Sequence, residues 1–579
     1  MHSNQEILDA AFAELNLTEV VERVCDAVFK REREYVEVWD IRTQMTVSDA
    51  AEDLTLRMAF TAAFPFQMPD VFYLDTKYDC FPHIGYKDRK LCLYEDGASF
   101  PIDSPIEIIK DNIRKARELI VSGARKDNVE EFKKEILSYW LEKFSNESVV
   151  DNTMIFWGSI PIQSCPLDVW EYYKPILSED ESIYLPFKLI LPDNFDDHDL
   201  ERLFGCRYNV KKSKCFFISS VTIPETPPFC CTMNEFMSWI SDDMDCKTLI
   251  RRVKENNGVL CVFPLGNSGN MAGVHIDVIK INQNGFRAGV KTAYKVLTEF
   301  EFKNKLLQRV LCYPYSRGRL AQRTNGELME SRNILLAGLG SVGSNLCHFL
   351  SGHNNTSFLL VDNQLLTVDN IGRHFLGFQY VGNNKALAMC DSLKNVRPDM
   401  DVMPICSTLE QYYTSDRNYI SSQTAIFLCT GDQMSEEFIL DKVNNGTLSV
   451  PVFILWLEPY AVAGHLAYVN PLDEKGKKTL FDAEGRYRFN LISPDEYSNH
   501  SDKFVKRDAG CNGQYTLYSG NDVILFLSAI YPKIERLLEC PSKSKVFRWI
   551  GNINIATKIS IRLANAETPE MGSIQEFSL

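Results

Sequence analysis

A chain of 579 residues is longer than one hydrophobic core can organise, so three or four domains are expected. Its 45% apolar and 24% charged residues suit an ordinary globular protein. No apolar run is long enough for a bilayer, and a net charge of −15 excludes a protein that grips nucleic acid by neutralising phosphates. The opening MHSNQEILDAAFAEL is acidic and amphipathic and does not read as a signal peptide. The 17 cysteines never fall in a Cys-x-x-Cys pair, which removes the usual zinc and thioredoxin-like spacings. Scattered and odd in number, they point to a reducing, cytoplasmic setting in which most serve as small core residues.

In chain order, residues 1–150 open on a helical pattern at Ile7, Ala11 and Leu15, followed by strand-like runs from Tyr35 to Ala63 and VFYL at 71–74. Helices close the region: IEIIKDNIRKARELI begins after Ser104-Pro105, a cap and first-turn signal, and EEFKKEILSYWLEKF has apolar residues at helical spacing. Residues 151–300 mix short strands (FKLILP, CFFISSVTIP, GVLCVFPL, VHIDVIKI) with Pro and Gly turns. They show no catalytic arrangement, and Cys230-Cys231 reads as packing. Residues 301–579 alternate apolar strands with helical stretches, as a mostly parallel sheet covered on both faces requires.

Within this last region the strand NILLAGLG runs into Gly338-Leu339-Gly340-Ser341-Val342-Gly343 and then a helix. Such glycines permit a tight turn and close backbone approach to phosphate, and the helix N-terminus presents N–H groups to an anion. Asp362 ends the next strand, where a carboxylate accepts hydrogen bonds from ribose hydroxyls. Downstream, Arg373 and Lys385 lie in a polar, Gly-containing stretch and can neutralise phosphates, while Gly431-Asp432 follows the strand TAIFLCT where a carboxylate can hold Mg²⁺. Together these suit ATP and Mg²⁺ better than a nicotinamide.

GLGSVG, LLVDN, VDNIGRHF, GNNKA and CTGD, in this order between about Tyr313 and Ile530, resemble the Rossmann-like ThiF-type adenylation domain of ubiquitin-activating enzymes and of bacterial activators of sulfur-carrier proteins. The resemblance implies that Asp362 contacts ribose, that Asn370, Arg373 and Lys385 handle the phosphates, and that Asp432 organises the metal. It also implies a homodimer in which an arginine near the start of the domain reaches the partner's ATP; Arg317, Arg319 and Arg323 are all candidates. The chain departs from the pattern with His374 where Gln is usual after the arginine, and without the zinc-binding Cys-x-x-Cys pair.

An adenylate can be captured by a thiolate as a thioester, which calls for an exposed cysteine in a basic setting. Cys511 lies in KFVKRDAGCNGQYT, a polar stretch behind Lys503, Lys506 and Arg507, where activating enzymes of this type carry a loop across the nucleotide. Cys540 and Cys429 read as buried. A second candidate lies in AFPFQMPDVFYLD followed by FPHIGYKDRKLCLYEDG, which resembles the centre of ubiquitin-conjugating enzymes. Cys92 matches their reactive cysteine, with Lys87, Arg89 and Lys90 expected to favour the thiolate, and Cys80 is the bland alternative. Phe81-Pro82-His83 stands where His-Pro-Asn is usual, which leaves open whether His83 replaces the missing Asn.

A ubiquitin-conjugating-like α+β domain (1–150), an α/β linker domain (151–300) and an activating domain (301–579), in that order, resemble the fused enzymes of bacterial anti-phage (CBASS) operons built around a cyclic-oligonucleotide synthase. The resemblance implies that the synthase is the carrier protein activated at its C-terminus and that protein amines are the acceptors, with neither nucleic acid nor membrane as a partner. An adenylyltransferase of sulfur-carrier or peptide biosynthesis, and a non-catalytic scaffold, are the rival readings.

Overall fold

A computed structural model describes residues 4–25, 29, 34–47, 50–78, 81–85, 88–95, 97–141, 154–176, 183–191, 211–224, 231–255, 258–265, 269–279, 292–473, 479–499, 501–507, 514–564 and 569–579. Two compact units divide the chain between Tyr315 and Ser316.

The first unit begins with a five-stranded antiparallel meander, Val20–Arg23, Glu37–Val47, Ala50–Phe60, Asp70–Tyr73 and Lys90–Leu91. Burial alternates from Ile41 to Val47, as one covered face demands. The helices Asn4–Leu15 and Pro105–Arg125 supply the cover. Leu8, Phe12, Ile109, Ile113, Ala116 and Ile120 pack on Ile41, Leu54, Leu56 and Met58. Pro105 occupies the first turn of its helix, where its missing N–H costs nothing. A Cβ on Gly123 would meet the Phe81 ring at 2.5 Å, so the missing side chain lets the Phe81-Pro82-His83 loop seat against this helix. The second helical pattern breaks into two short pieces, Glu131–Lys134 and Ile136–Leu141.

The same unit contains a closed seven-stranded barrel, ordered Val259–Leu265, Asn270–Ile276, Gln308–Tyr315, Met154–Trp157, Ile183–Leu191, Cys165–Ile176 and Lys211–Phe217. Gln308–Tyr315, which the sequence suggests opens the activating region, instead closes this barrel by pairing with Met154–Trp157. Met154, Phe156, Val169, Ile190, Phe217, Val262 and Val310 fill the interior. Trp140 is fully buried in a separate cluster with Trp239 and Phe263, its Nε1–H donating to the Val310 carbonyl at 3.1 Å. The segment carrying Glu131 and Glu135 is thereby anchored to the barrel.

The second unit is an eight-stranded sheet ordered Val402–Ile405, Thr356–Val361, Arg332–Ala337, Ala425–Leu428, Val452–Leu457, Ala463–Val469, Lys545–Ile550 and Ile574–Ser578. Its first five strands run parallel and the last three join antiparallel. Leu346, Ala386, Met389, Phe526 and Ile530 cover one face, and Leu409, Ile420, Ile439 and Leu440 the other. The chain steps outward from Arg332–Ala337 on one side and later returns on its other side. This leaves a crevice at the carboxyl ends of the strands.

Candidate functional site

The nucleotide-site residues predicted from sequence, Gly343 excepted, line two cavities at that crevice. A cavity of about 790 Å³ is lined by Gly338, Gly340, Asp362, Lys385, Thr430 and Asp432. A second, of about 570 Å³, shares Gly340, Lys385 and Thr430 and adds Asn370, Arg373, Trp456 and Tyr518. Gly338 has a φ of +83°, which favours glycine. A Cβ on Gly343 would lie 1.8 Å from the Gly338 carbonyl oxygen, so only glycine lets the helix Ser341–Ser351 pack this close beneath its own loop. That helix has Gly340 as its N-cap and no capping side chain, and its N-terminal residues line the cavity.

The charged residues are already held in place by the fold. Asp362 is buried and accepts N–H bonds from Leu339 at 2.7 Å and Gln364 at 2.8 Å, so it shapes the glycine loop as well as lining the cavity. Lys385 begins the helix Lys385–Val396, and its Nζ donates to Gln364 Oε1 at 2.8 Å. Burial lowers its pKa, against the opposing pull of Asp362. Arg373 donates to the Thr516 carbonyl at 2.8 Å and lies over the Tyr518 ring, while Ser341 and Tyr518 share a hydroxyl hydrogen bond of 2.8 Å. The Asn370 Oδ1 accepts from the Thr367 N–H in a capped turn. His374 bonds the Leu339 carbonyl at 2.7 Å and accepts the Leu376 N–H; burial pushes it down to about 4, so it stays neutral and braces the loop.

Asp432 is exposed and caps the helix Gln433–Asn444, accepting from the Ser435 N–H and hydroxyl. Among the described residues no cluster of three or more His, Cys, Asp or Glu could hold a metal ion. One carboxylate beside a phosphate cavity fits Mg²⁺, which is commonly bound by one or two carboxylates together with substrate phosphates. Arg317 donates to Asn355 Oδ1 and the Asp399 carbonyl, and Arg319 and Arg323 lie on the same short helix, Arg317–Thr324. Sequence reasoning missed Glu436, a buried carboxyl pushed up to about 7 by desolvation, which accepts from the Tyr487 and Thr430 hydroxyls at the cavity edge. It also missed the buried Glu458–His465 pair. Charged residues next to apolar strands were the available signal.

Cys511, like Cys80 and Cys230, lies outside the described residues. The flanking strands Val505–Arg507 and Gln514–Thr516 pair antiparallel, and Thr516 lines the second cavity. Cys540 is exposed at the end of its helix and not buried as expected. Cys215, Cys231, Cys261, Cys312, Cys347 and Cys390 are core residues, as their apolar settings suggest.

In the first unit Cys92 is exposed, and its N–H donates to the His83 carbonyl at 2.8 Å. Two of the expected basic neighbours are engaged elsewhere. Arg89 donates to the Tyr73 and Tyr78 carbonyls, Lys90 pairs with Asp70 at 2.7 Å, and Lys87 lies outside the described residues. While the thiol faces the Tyr94 carbonyl at 3.8 Å, the loop that bonds the Cys92 backbone presents His83, whose ring lies 3.1 Å from Glu131 and 2.8 Å from Glu135. The ring's pKa rises to about 9, through Cys92 first and the two glutamates next, against burial. A raised histidine stabilises the fold fully below its ordinary 6.5, a contribution lost as the pH climbs through about 9.

Residues 318–475 match the ThiF family and residues 30–149 match Prokaryotic E2 family B. An ATP-dependent ubiquitin transferase-like protein Cap2 of Enterobacter hormaechei subsp. hoffmannii is 31% identical over 113 residues, 19% of each chain. Its counterpart in Pseudomonas aeruginosa is 37% identical over 89 residues, 14% of this chain and 16% of that one. The aligned segments thus span under a fifth of these relatives. The crystal structure of PaaA aligns at 13% identity and a TM-score of 0.32, over 51% of this chain and 87% of that one. A ThiF-type segment and a prokaryotic E2-type segment therefore occur in one chain.

Gly343→Ala is expected to weaken ATP binding at least tenfold by calorimetry, because the loop must shift to clear the Gly338 carbonyl. Wild-type affinity in the variant would show that the loop does not cradle the nucleotide.

Proposed function

We propose that this chain activates the C-terminus of a carrier protein with ATP and conjugates it to an amine through two cysteines. The carrier carboxylate attacks the α-phosphorus of ATP, releasing pyrophosphate and leaving an acyl-adenylate. The Cys511 thiolate displaces AMP to form a thioester. Cys92 then attacks that thioester and frees the Cys511 thiolate, and a target amine finally displaces Cys92, losing a proton as the amide forms. The observation that carries this reading is a crevice lined by the glycine loop, Asp362, Arg373, Lys385 and Asp432 in the same chain as an exposed cysteine on a conjugating-type fold. Support for Cys511 comes from its flanking strand, which Arg373 ties to the cavity.

Within the crevice Lys385 and Arg373 meet the phosphates, the glycine loop and helix N-terminus cradle them, and Asp432 would hold Mg²⁺, which offsets charge on the departing pyrophosphate. Asp362 contacts ribose, and Asn370 completes the phosphate side. The enzyme acts in the cytoplasm as a homodimer, with Arg317, Arg319 or Arg323 of one copy reaching the other's nucleotide. The carrier we infer is a cyclic-oligonucleotide synthase of anti-phage defence, on the resemblance of this domain order to the fused enzymes of such operons; the ubiquitin transferase-like relatives support activation and transfer.

Asp432→Asn should keep an oxygen to cap its helix yet lose most carrier-dependent ATP–pyrophosphate exchange; full exchange would take Asp432 out of the metal site. Sedimentation of the fully active enzyme should give a dimer, and an active monomer rejects the shared arginine. The relay is tested with ATP and the carrier on non-reducing gels. Cys511→Ala should form acyl-adenylate but no thioester, and Cys92→Ala should accumulate a reducible thioester on Cys511 without conjugate. Conjugate made by Cys92→Ala at the normal rate would replace the relay with the adenylyltransferase reading.

A further inference from the structure

The barrel-anchored segment between the helix Pro105–Arg125 and the barrel has no part in the chemistry described so far, yet its polar side chains converge on the loop before Cys92. The Tyr139 hydroxyl accepts the His83 N–H at 2.9 Å and itself donates to Glu135 at 3.2 Å. Glu131 Oε2 lies 3.1 Å from His83 Nε2 and Glu135 Oε1 lies 2.8 Å from His83 Nδ1. A neutral imidazole carries one N–H, so a ring facing a carboxylate at both nitrogens satisfies both only as imidazolium. The loop that presents the ring is fixed too. His83 has a φ of +65°, and Phe81 is seated in the space left by Gly123.

We propose that Glu131 and Glu135, held on the barrel by Tyr139 and Trp140, are positioning residues that lock His83 as a fixed imidazolium beside Cys92. The ring then works as a standing positive charge for the transferring sulfur and not as its general base, because neither nitrogen has a lone pair with which to accept a proton. The barrel is what keeps this charge in place, which assigns the linker domain a part in transfer. The proposal rests on Cys92 being the transfer cysteine.

The groups that face the ring are Cys92 from its loop and Glu131, Glu135 and Tyr139 from the barrel-anchored segment. The rise of the ring to about 9 follows from this enclosure, with Cys92 the largest contributor and both glutamates adding to it.

The test uses the full-length chain without ATP or carrier, so its outcome is separate from that of the relay. Carbon-13 labelling of histidine, with His83→Gln to assign the resonance, follows the ring through pH 5–10. The wild-type ring should stay protonated past pH 8, and Glu131→Gln/Glu135→Gln should bring its titration back toward 6.5. Alkylation of Cys92 by iodoacetamide at pH 7, read on its own peptide by mass spectrometry, should slow roughly threefold or more in the double variant and in His83→Gln. In the His83→Gln background the two glutamate changes should slow it no further. If the carboxylates acted on the sulfur directly, their removal would speed alkylation, and that result overturns the proposal. So does a wild-type His83 that titrates near 6.5, a measurement that needs no folded variant beyond the one used for assignment. Should the double variant not fold, Glu131→Gln alone, at the more exposed of the two carboxylates, is expected to move both readouts in the same direction by less.

Discussion

The Asp362 carboxylate, bound by two backbone N–H groups, is the interaction on which the nucleotide crevice depends. One of those donors is Leu339, inside the glycine loop, so the acid that ends one strand also holds the turn that ends its neighbour. Hydrogen bonds to a charged acceptor are worth about 1.5–3 kcal/mol each, more than most bonds between neutral groups. His374 grips the Leu339 carbonyl from the other side, and the Asn345 amide bonds the carbonyls of Ser341 and Arg373. The loop is fastened through side chains because its glycines can offer none. A ligand therefore meets donors that are already aimed, and little ordering remains to be done on binding.

The same economy runs along the far wall of the crevice. Glu436, Tyr487, Trp456 and His465 follow one another in contact, by a hydrogen bond and then by two stacked ring pairs, and end at Glu458. Glu458 in turn accepts the backbone N–H groups of Leu491 and Ile492. A buried carboxylate is tolerated only when such donors surround it. Here the donors come from the stretch of chain that leads toward Val505–Arg507. The wall of the cavity and the segment on the way to Cys511 are thus built from one set of contacts.

Much of the second unit was legible in its sequence because the relevant signals are local. The run Ile334-Leu335-Leu336 is fully buried, as a strand covered on both faces must be, and the glycines and Asp362 sit within a few residues of strand ends. What was not legible is non-local. Barrel closure pairs Met154–Trp157 with Gln308–Tyr315, strands far apart in sequence whose apolar runs carry no mark of their partner. Arg89 and Lys90 looked like basic neighbours for Cys92 from spacing alone, but backbone carbonyls and Asp70 occupy them. His83 was visible as a departure from His-Pro-Asn, whereas nothing in the spacing of the helical run EEFKKEILSYWLEKF singled out Glu131 and Glu135. That helix breaks at Glu135, and the two carboxylates, four residues apart and so on one face, both reach the histidine.

Trp140 has a consequence for where one domain stops and the next begins. Its indole is buried beside Trp239 and the barrel residue Phe263 and bonded to the barrel residue Val310, although it lies before the boundary that chain texture suggests. A fragment cut near residue 130 would retain the whole meander and Cys92 but lose both glutamates. One cut near residue 150 would keep the glutamates yet strip away the surface on which their helix rests. Modular shuffling of the conjugating-type fold alone would therefore deliver the cysteine without its electrostatic surroundings, and the heritable cassette has to extend through the strand that ends at Tyr315.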